Sequence, residues 1–323
     1  MQGEVLEKGS LQPGYDCRQF CLRSLFELFI GVVPPEDTMM KMYDYNEGLL
    51  SLGKFAKEYT GGKKALEDLT EYIEKHYRTI RAQGKLDDPE YFFLKQYSEA
   101  TDENGVLFTD DRIATTCVLM VWGAYIEAAA EMGHTAWCLM RNPEAAVKVR
   151  EECRKMLSLA DLKAGNVTLE KAMQMKYTEA VVKETLRVVP QTAGGLRINP
   201  ETRKMSGYDI PAGYTLTADP RIPFLDPANY PAPEDFKPER FLPEGAAGNS
   251  VNADTYFPGG MGQHQCPGMN LSTLMTQMFL AYMTSTFDSW APDLEAGRGR
   301  GRGGSNAASH RSSCPRYGAC QVS

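Results

Sequence analysis

Cys266 stands in the string PGGMGQHQCPGMN, with Gly262 four residues before it, His264 two before, Gly268 two after, and an apolar helical pattern following. A cysteine on a glycine-rich turn ahead of a helix can offer one thiolate to a haem iron, and the positive end of the helix dipole favours that anion. A thiolate axial ligand pushes electron density through the iron and favours O–O cleavage. The same string also fits a buried core cysteine beside a tight turn, since cysteine is among the most buried residue types. Taken alone, the string leaves both readings open.

Two further groups bear on the choice. KETLR, near the end of a helical pattern, puts Glu184 and Arg187 three residues apart and therefore on one helix face, where they can pair with each other and with a third group. An ordinary exposed salt bridge satisfies that spacing equally well and contributes little. Further on, FKPERF closes a proline-rich stretch with Arg240 between Glu239 and Phe241.

The elements that must position these residues follow from hydrophobic period and breakers. Phe20, Leu22, Leu25, Phe26, Leu28 and Phe29 crowd one face of a core helix from Asp16 to Ile30, ended by Gly31, Pro34 and Pro35. Leu66, Leu69, Ile73 and Tyr77 predict an amphipathic surface helix over Ala65–Ala82. TGGKK at 60–64 lacks P-loop spacing. A long helix is expected from Thr109 or Asp110 to Met140, stopped by Asn142-Pro143, with others over Glu144–Ser158 and Leu169–Val188. Beyond Pro190, alternating stretches and turn dipeptides predict small β-strands and hairpins. FLDPANYPAPEDFKPERF reads as ordered irregular chain rather than helix. After Cys266, Leu271, Leu274, Met275, Met278, Phe279 and Tyr282 recur at three and four, predicting a core helix.

Composition sets the frame. The chain has 323 residues, 42% hydrophobic and 24% charged, with net charge −7, enough for a large core and unlike a disordered or general nucleic-acid-binding protein. Its eight cysteines are scattered without paired CxxC motifs, which suits buried thiols in a reducing compartment rather than zinc. Neither a secretion signal nor a run of about 18 apolar residues is evident, so no membrane span is expected in this chain. The end, EAGRGRGRGGSNAASHRSSCPRYGACQVS, is Gly, Ser and Arg rich and is expected to be a disordered tail over 291–323. Its Gly-Arg steps lack aromatic interleaving, so no nucleic-acid partner is expected; His310, Cys314 and Cys320 have the wrong spacing for a metal ribbon.

KETLR, FKPERF and a glycine-rich loop with one cysteine, in that order, resemble the C-terminal core of the cytochrome P-450 family, the haem-thiolate monooxygenases. The resemblance runs from about Asp110 to Trp290 and takes in RNPEAAVKVREE and GYDIPAGY. It implies a mainly α fold with small β-sheets, truncated at its N-terminal side. In that reading residues 1–290 form a partial domain, helical over 16–190 and carrying the β-rich part and the haem loop over 191–290. It also implies haem b, with Cys266 as axial ligand and Gly262 and Gly268 shaping its loop. Arg197 and His264 stand where residues usually reach the haem propionates, although imidazole donates there less strongly than a guanidinium. Glu184, Arg187 and Arg240 form the buried charge triad. A small apolar substrate, O2 and an electron-donating reductase or ferredoxin complete the expectation; full-length relatives often sit on the endoplasmic reticulum membrane.

Three departures qualify the resemblance. Gly259 stands seven residues before Cys266, where the family usually has Phe, and the nearest aromatics are Tyr256 and Phe257. On the long distal helix, Ile126 and Glu127 occupy the positions of the usual acid and threonine that relay protons to bound oxygen. WGAYIEAAAEM there looks similar to the sterol-hydroxylase and prostacyclin-synthase branch, with Glu127 in place of Asn; Glu127 either serves the pocket or faces solvent. Third, the family's N-terminal part, with its anchor, early sheet and Trp/Arg pair, finds no counterpart. The alternatives are therefore a haem-thiolate isomerase or dehydratase of lipid peroxides, which needs no such relay, and a non-catalytic truncated fragment.

Overall fold

The computed structural model describes residues 13–51, 57–192, 194–243 and 254–287. Compact packing divides the chain into one unit built mainly of Tyr15–Ala129 and another built mainly of Ala130–Ser323. The expected tail over 291–323 lies outside the described residues.

The first unit contains α1 (Pro13–Ile30), α2 (Glu36–Leu49), α3 (Lys57–Ala82), α4 (Phe92–Ser98) and most of the N-terminal part of α5 (Asp110–Arg141). α1 buries Leu22, Leu25, Phe26, Phe29 and Ile30. Leu28, expected on that face, is 41% exposed: two residues from Phe26 it points to the opposite side of the helix. α3 begins before Ala65 and absorbs TGGKK, because Gly62 packs against Gly48 of α2. A β-carbon on either glycine would lie 2.6 Å from the other's Cα, so both helices need glycine there. Asp110, in the first turn of α5, takes Arg81 of α3 in two bonds of 2.7 and 2.8 Å. The Trp122 indole N–H donates to the Asn46 side chain at 3.2 Å, tying α2 to α5.

α5 is, among the described residues, a helix long and apolar enough to cross a membrane by length and composition, with mean hydropathy 1.5 over its most apolar window. A core helix passes the same test, and 44% of that window is buried inside the protein.

The second unit holds the remainder of α5, α6 (Pro143–Met156), α7 (Leu159–Ala164), α8 (Leu169–Met173), α9 (Lys176–Val188), α10 (Arg221–Phe224) and α11 (Met269–Thr286). The single helix expected over Leu169–Val188 is instead α8 and α9, parted at Gln174–Met175. Distant side chains satisfy the break. Glu152 of α6 accepts from the N–H groups of Tyr177 and Thr178 at 2.8 and 2.7 Å, and the Gln277 amide of α11 donates to the Met175 carbonyl at 3.0 Å. Four three-residue strands follow: β1 (Leu196–Ile198) pairs antiparallel with β4 (Thr215–Thr217), and β2 (Arg203–Met205) with β3 (Tyr208–Ile210). The β2–β3 turn is Ser206-Gly207 with φ of 50° and 86°, both left-handed as a two-residue hairpin requires. The proline-rich stretch departs from expectation once: Pro238–Phe241 forms one 3₁₀ turn, tolerated because Pro238 sits in its first positions, where no helical N–H is needed.

Candidate functional site

Cys266 lies three residues ahead of α11, and its thiol is exposed rather than in the core. Backbone bonds shape the loop before it. Cys266 N–H donates to the Gly259 carbonyl at 2.8 Å, and Gln265 N–H to the Gly262 carbonyl at 3.1 Å, closing a 3₁₀ turn over Gly262–His264. Gly262 has φ 72°, a conformation that strains any residue with a β-carbon. Gly268 has an ordinary φ of −87° and immediately precedes α11; a β-carbon there would stand 3.7 Å from the Cys266 Sγ.

At Gly259 a β-carbon would come 2.6 Å from the Met269 Sδ and 3.1 Å from the Cys266 Cβ. The Met269 thioether thus fills the place where the resemblance leads one to expect a phenyl ring. The two nearby aromatics pack elsewhere: Tyr256 stacks on Phe224 at 5.5 Å and meets Phe241 at 4.9 Å, while Phe257 tilts against Phe224 at 5.4 Å. Burial lifts the Tyr256 hydroxyl well above its usual range, so it stays a donor, to the Lys183 carbonyl at 3.0 Å.

Glu184 and Arg187 of α9 form a pair whose side chains are both 0% exposed. The guanidinium is bidentate on the carboxylate, at 2.7 Å from Nε and 2.8 Å from Nη2. Two further donors go to backbone carbonyls, Phe224 at 2.8 Å and Asp235 at 3.3 Å, and its Cζ lies 5.1 Å from the centre of the Tyr230 ring. Glu184 also accepts the Lys237 N–H at 2.8 Å. Arg240 Nε stands 3.4 Å from Glu184, within ion-pair reach but outside hydrogen-bond geometry, and its Nη2 donates to the Ala232 carbonyl at 2.7 Å. The three charges therefore meet. The sequence did not reveal that backbone carbonyls and an N–H from two later segments complete the network.

The other candidates are placed less tightly. Arg197, on β1, is exposed and, among the described residues, bonds only the Leu196 carbonyl at 2.9 Å, leaving donors for an anion. His264 is exposed, and neither it nor Arg197 bonds the other or Cys266 among the described residues. Glu127 is exposed on α5, without a hydrogen bond or ion pair among the described residues, and Ile126 beside it is half-buried. Sequence reasoning missed Glu131, one turn on, which is 3% exposed and accepts from the hydroxyls of Ser272 and Thr276 on α11. An acid inside the apolar run AAAEMGHTAW was the available signal.

A mainly helical fold with small sheets thus carries a largely buried Glu–Arg–Arg cluster and an exposed thiol on a glycine-turned loop before a core helix. The family model described as Cytochrome P450 matches residues 35–296, and the chain belongs to that family. It is 29% identical over 240 residues to a taxane 10-beta-hydroxylase of Taxus cuspidata, covering 74% of this chain and 47% of that protein. It is 30% identical over 237 residues to a flavonoid 3'-monooxygenase of Petunia hybrida, covering 71% and 44% respectively. The solved structure of retinoic acid bound cyanobacterial CYP120A1 superposes with a TM-score of 0.75 at 23% identity, covering 90% of this chain and 66% of that one. The chain spans less than half the length of these two curated relatives. Members of the family bind haem. Among the described residues the donor set suits such a group: the exposed Cys266 thiol for an iron, and Arg197, with donors beyond its Leu196 bond, for a carboxylate.

Proposed function

We propose that this chain is a haem-thiolate oxidoreductase, a monooxygenase acting on an apolar, sterol- or lipid-like substrate, with haem b held by Cys266. The observation that carries the reading is the exposed Cys266 thiol on its glycine-turned loop, three residues ahead of a core helix. Bound haem would supply thiolate-assisted O–O cleavage, with O2 as oxidant and electrons from a reductase or ferredoxin. The chain's own residues do the rest. Gly262 turns the loop, Gly268 leads it into α11, and Arg197 and His264 take the propionates. Glu184, Arg187 and Arg240 lock the segment after α10 onto α9, and Glu127 on the distal helix supplies the proton-handling group in place of the usual alcohol. The names of two relatives, a taxane hydroxylase and a flavonoid monooxygenase, support a carbon-rich ring substrate.

The test is to express the chain with haem supply, reduce it, add carbon monoxide and record the Soret band. A thiolate-type shift that disappears in Cys266→Ser is the expected result. Absence of haem uptake in the unaltered chain overturns the reading. Ile126 and Glu127 in place of an acid–alcohol pair favour a second one, rearrangement or dehydration of a lipid peroxide. Consumption of a lipid hydroperoxide without any reductase selects it.

A further inference from the structure

Glu131 sits midway along α5 between small and apolar residues and is 3% exposed. Its two carboxyl oxygens are each taken by a hydroxyl of α11, Oε2 by Ser272 and Oε1 by Thr276 at 2.8 Å. Ser272 and Thr276 are four residues apart, so they share one face of α11 and the carboxyl bridges two successive turns. No cation pairs with it among the described residues. Burial raises its pKa above the usual carboxylate value, against a smaller opposing pull from the two hydroxyl bonds.

The turn that Glu131 grips is the one joined to the cysteine loop. Ser272 N–H donates to the Gly268 carbonyl at 2.9 Å, and Gly268 stands two residues after Cys266, where an added β-carbon would lie 3.7 Å from the sulfur. Hydrogen bonds thus join Glu131 to Ser272 and Ser272 to Gly268, and the backbone runs from Gly268 through Pro267 to Cys266. The two hydroxyl bonds fix the helix turn that follows the cysteine loop.

We propose that Glu131 is a positioning residue for Cys266: by gripping Ser272 and Thr276 it anchors the first two turns of α11 and so fixes how the thiol is presented. The inference rests on Cys266 being the ligand of the proposed function.

The experiment uses the full chain, expressed with haem supply, as wild type, Glu131→Leu and Glu131→Gln. Two quantities are read: amide hydrogen exchange over 269–273 relative to 178–186 of α9, and the share of the reduced carbon monoxide complex with the thiolate-type Soret band. Glu131→Leu is expected to speed exchange over 269–273 roughly tenfold relative to α9, the cost of losing buried hydrogen bonds at one place, and to move part of the complex to a thiol-type band. Glu131→Gln, which can both donate and accept, is expected to stay within about twofold of wild type in both. Equal acceleration in α9, or an unchanged band in Glu131→Leu, overturns the proposal. Where Glu131→Leu does not fold, Ser272→Ala and Thr276→Val each remove one arm of the bridge and the same ratio is read. If the wild type takes up no haem, the proposed function fails by itself, while the exchange ratio still decides whether Glu131 holds this turn.

Discussion

Replacing Arg187 by alanine tests how strongly the charge network holds the second unit. The change removes two bonds to Glu184, at 2.7 and 2.8 Å, and the bonds to the Phe224 and Asp235 carbonyls. It strands a fully buried carboxylate that keeps only the Lys237 N–H and Arg240 at 3.4 Å. Breaking a buried pair in this way costs about 3–5 kcal/mol, because the surviving charge is left without its counter-ion. For a unit of this size that corresponds to a fall in Tm of about 10 °C. Glu184→Gln is expected to cost a similar amount from the other side. The double variant Glu184→Leu with Arg187→Leu removes both members of the fully buried pair and leaves Arg240, which is 10% exposed, as the charge without its partner, so its cost falls below the sum of the single leucine variants by about 2 kcal/mol or more. Urea unfolding of each variant, read as a midpoint shift at unchanged slope, supplies the cycle. A cost below about 1 kcal/mol for Arg187→Ala is what an exposed pair contributes, and it would refute the argument, as would strict additivity in the cycle.

Gly259→Phe forces a ring against Met269, and overpacking of this kind costs about 1–3 kcal/mol; adding Met269→Ala should recover at least half of that, measured by thermal unfolding. Burial lifts the thiols of Cys117 and Cys138 to about 12 and that of Cys153 to about 11, while Cys266 is exposed. Site-resolved alkylation at pH 8 should therefore label Cys266 well ahead of those three until the chain is denatured. For Glu131 the sign is set by a folded pKa raised above the unfolded carboxyl value. The folded state then holds the extra proton, and stability is lost as pH climbs past about 4.3 toward the raised value. The gap in unfolding free energy between Glu131→Gln and wild type should accordingly widen in favour of the variant from pH 5 to pH 8; a gap that stays constant would contradict a carboxyl pKa raised by burial.

Apolar period was enough to find α1, α3, α5, α6 and α11, because the face a helix buries is written in residues three and four apart, as with Leu69, Ile73 and Tyr77. α2 escaped because its buried set is short, Met39, Met42, Tyr45 and Gly48, and Gly48 matters only through Gly62 on another helix. The split between α8 and α9 depends on Glu152 and Gln277, the second lying about 100 residues away, so no local pattern could announce it.

The polar groups of the candidate site follow the same division. The spacing of Glu184 and Arg187 is local and legible, whereas their burial depends on Phe224, Asp235 and Lys237, contributed by backbone that carries no side-chain signature. Glu131 is the sharper case. As a residue type inside an apolar helix it predicts either a solvent-facing charge or a buried acid, and these differ only in whether hydroxyls 141 and 145 positions away reach it. Hydrophobic burial is non-directional and is satisfied by any apolar neighbour, so periodicity suffices to foresee it. A buried acid needs particular partners at particular distances, and for that reason the supports of Cys266 became visible only once α5 and α11 stood side by side.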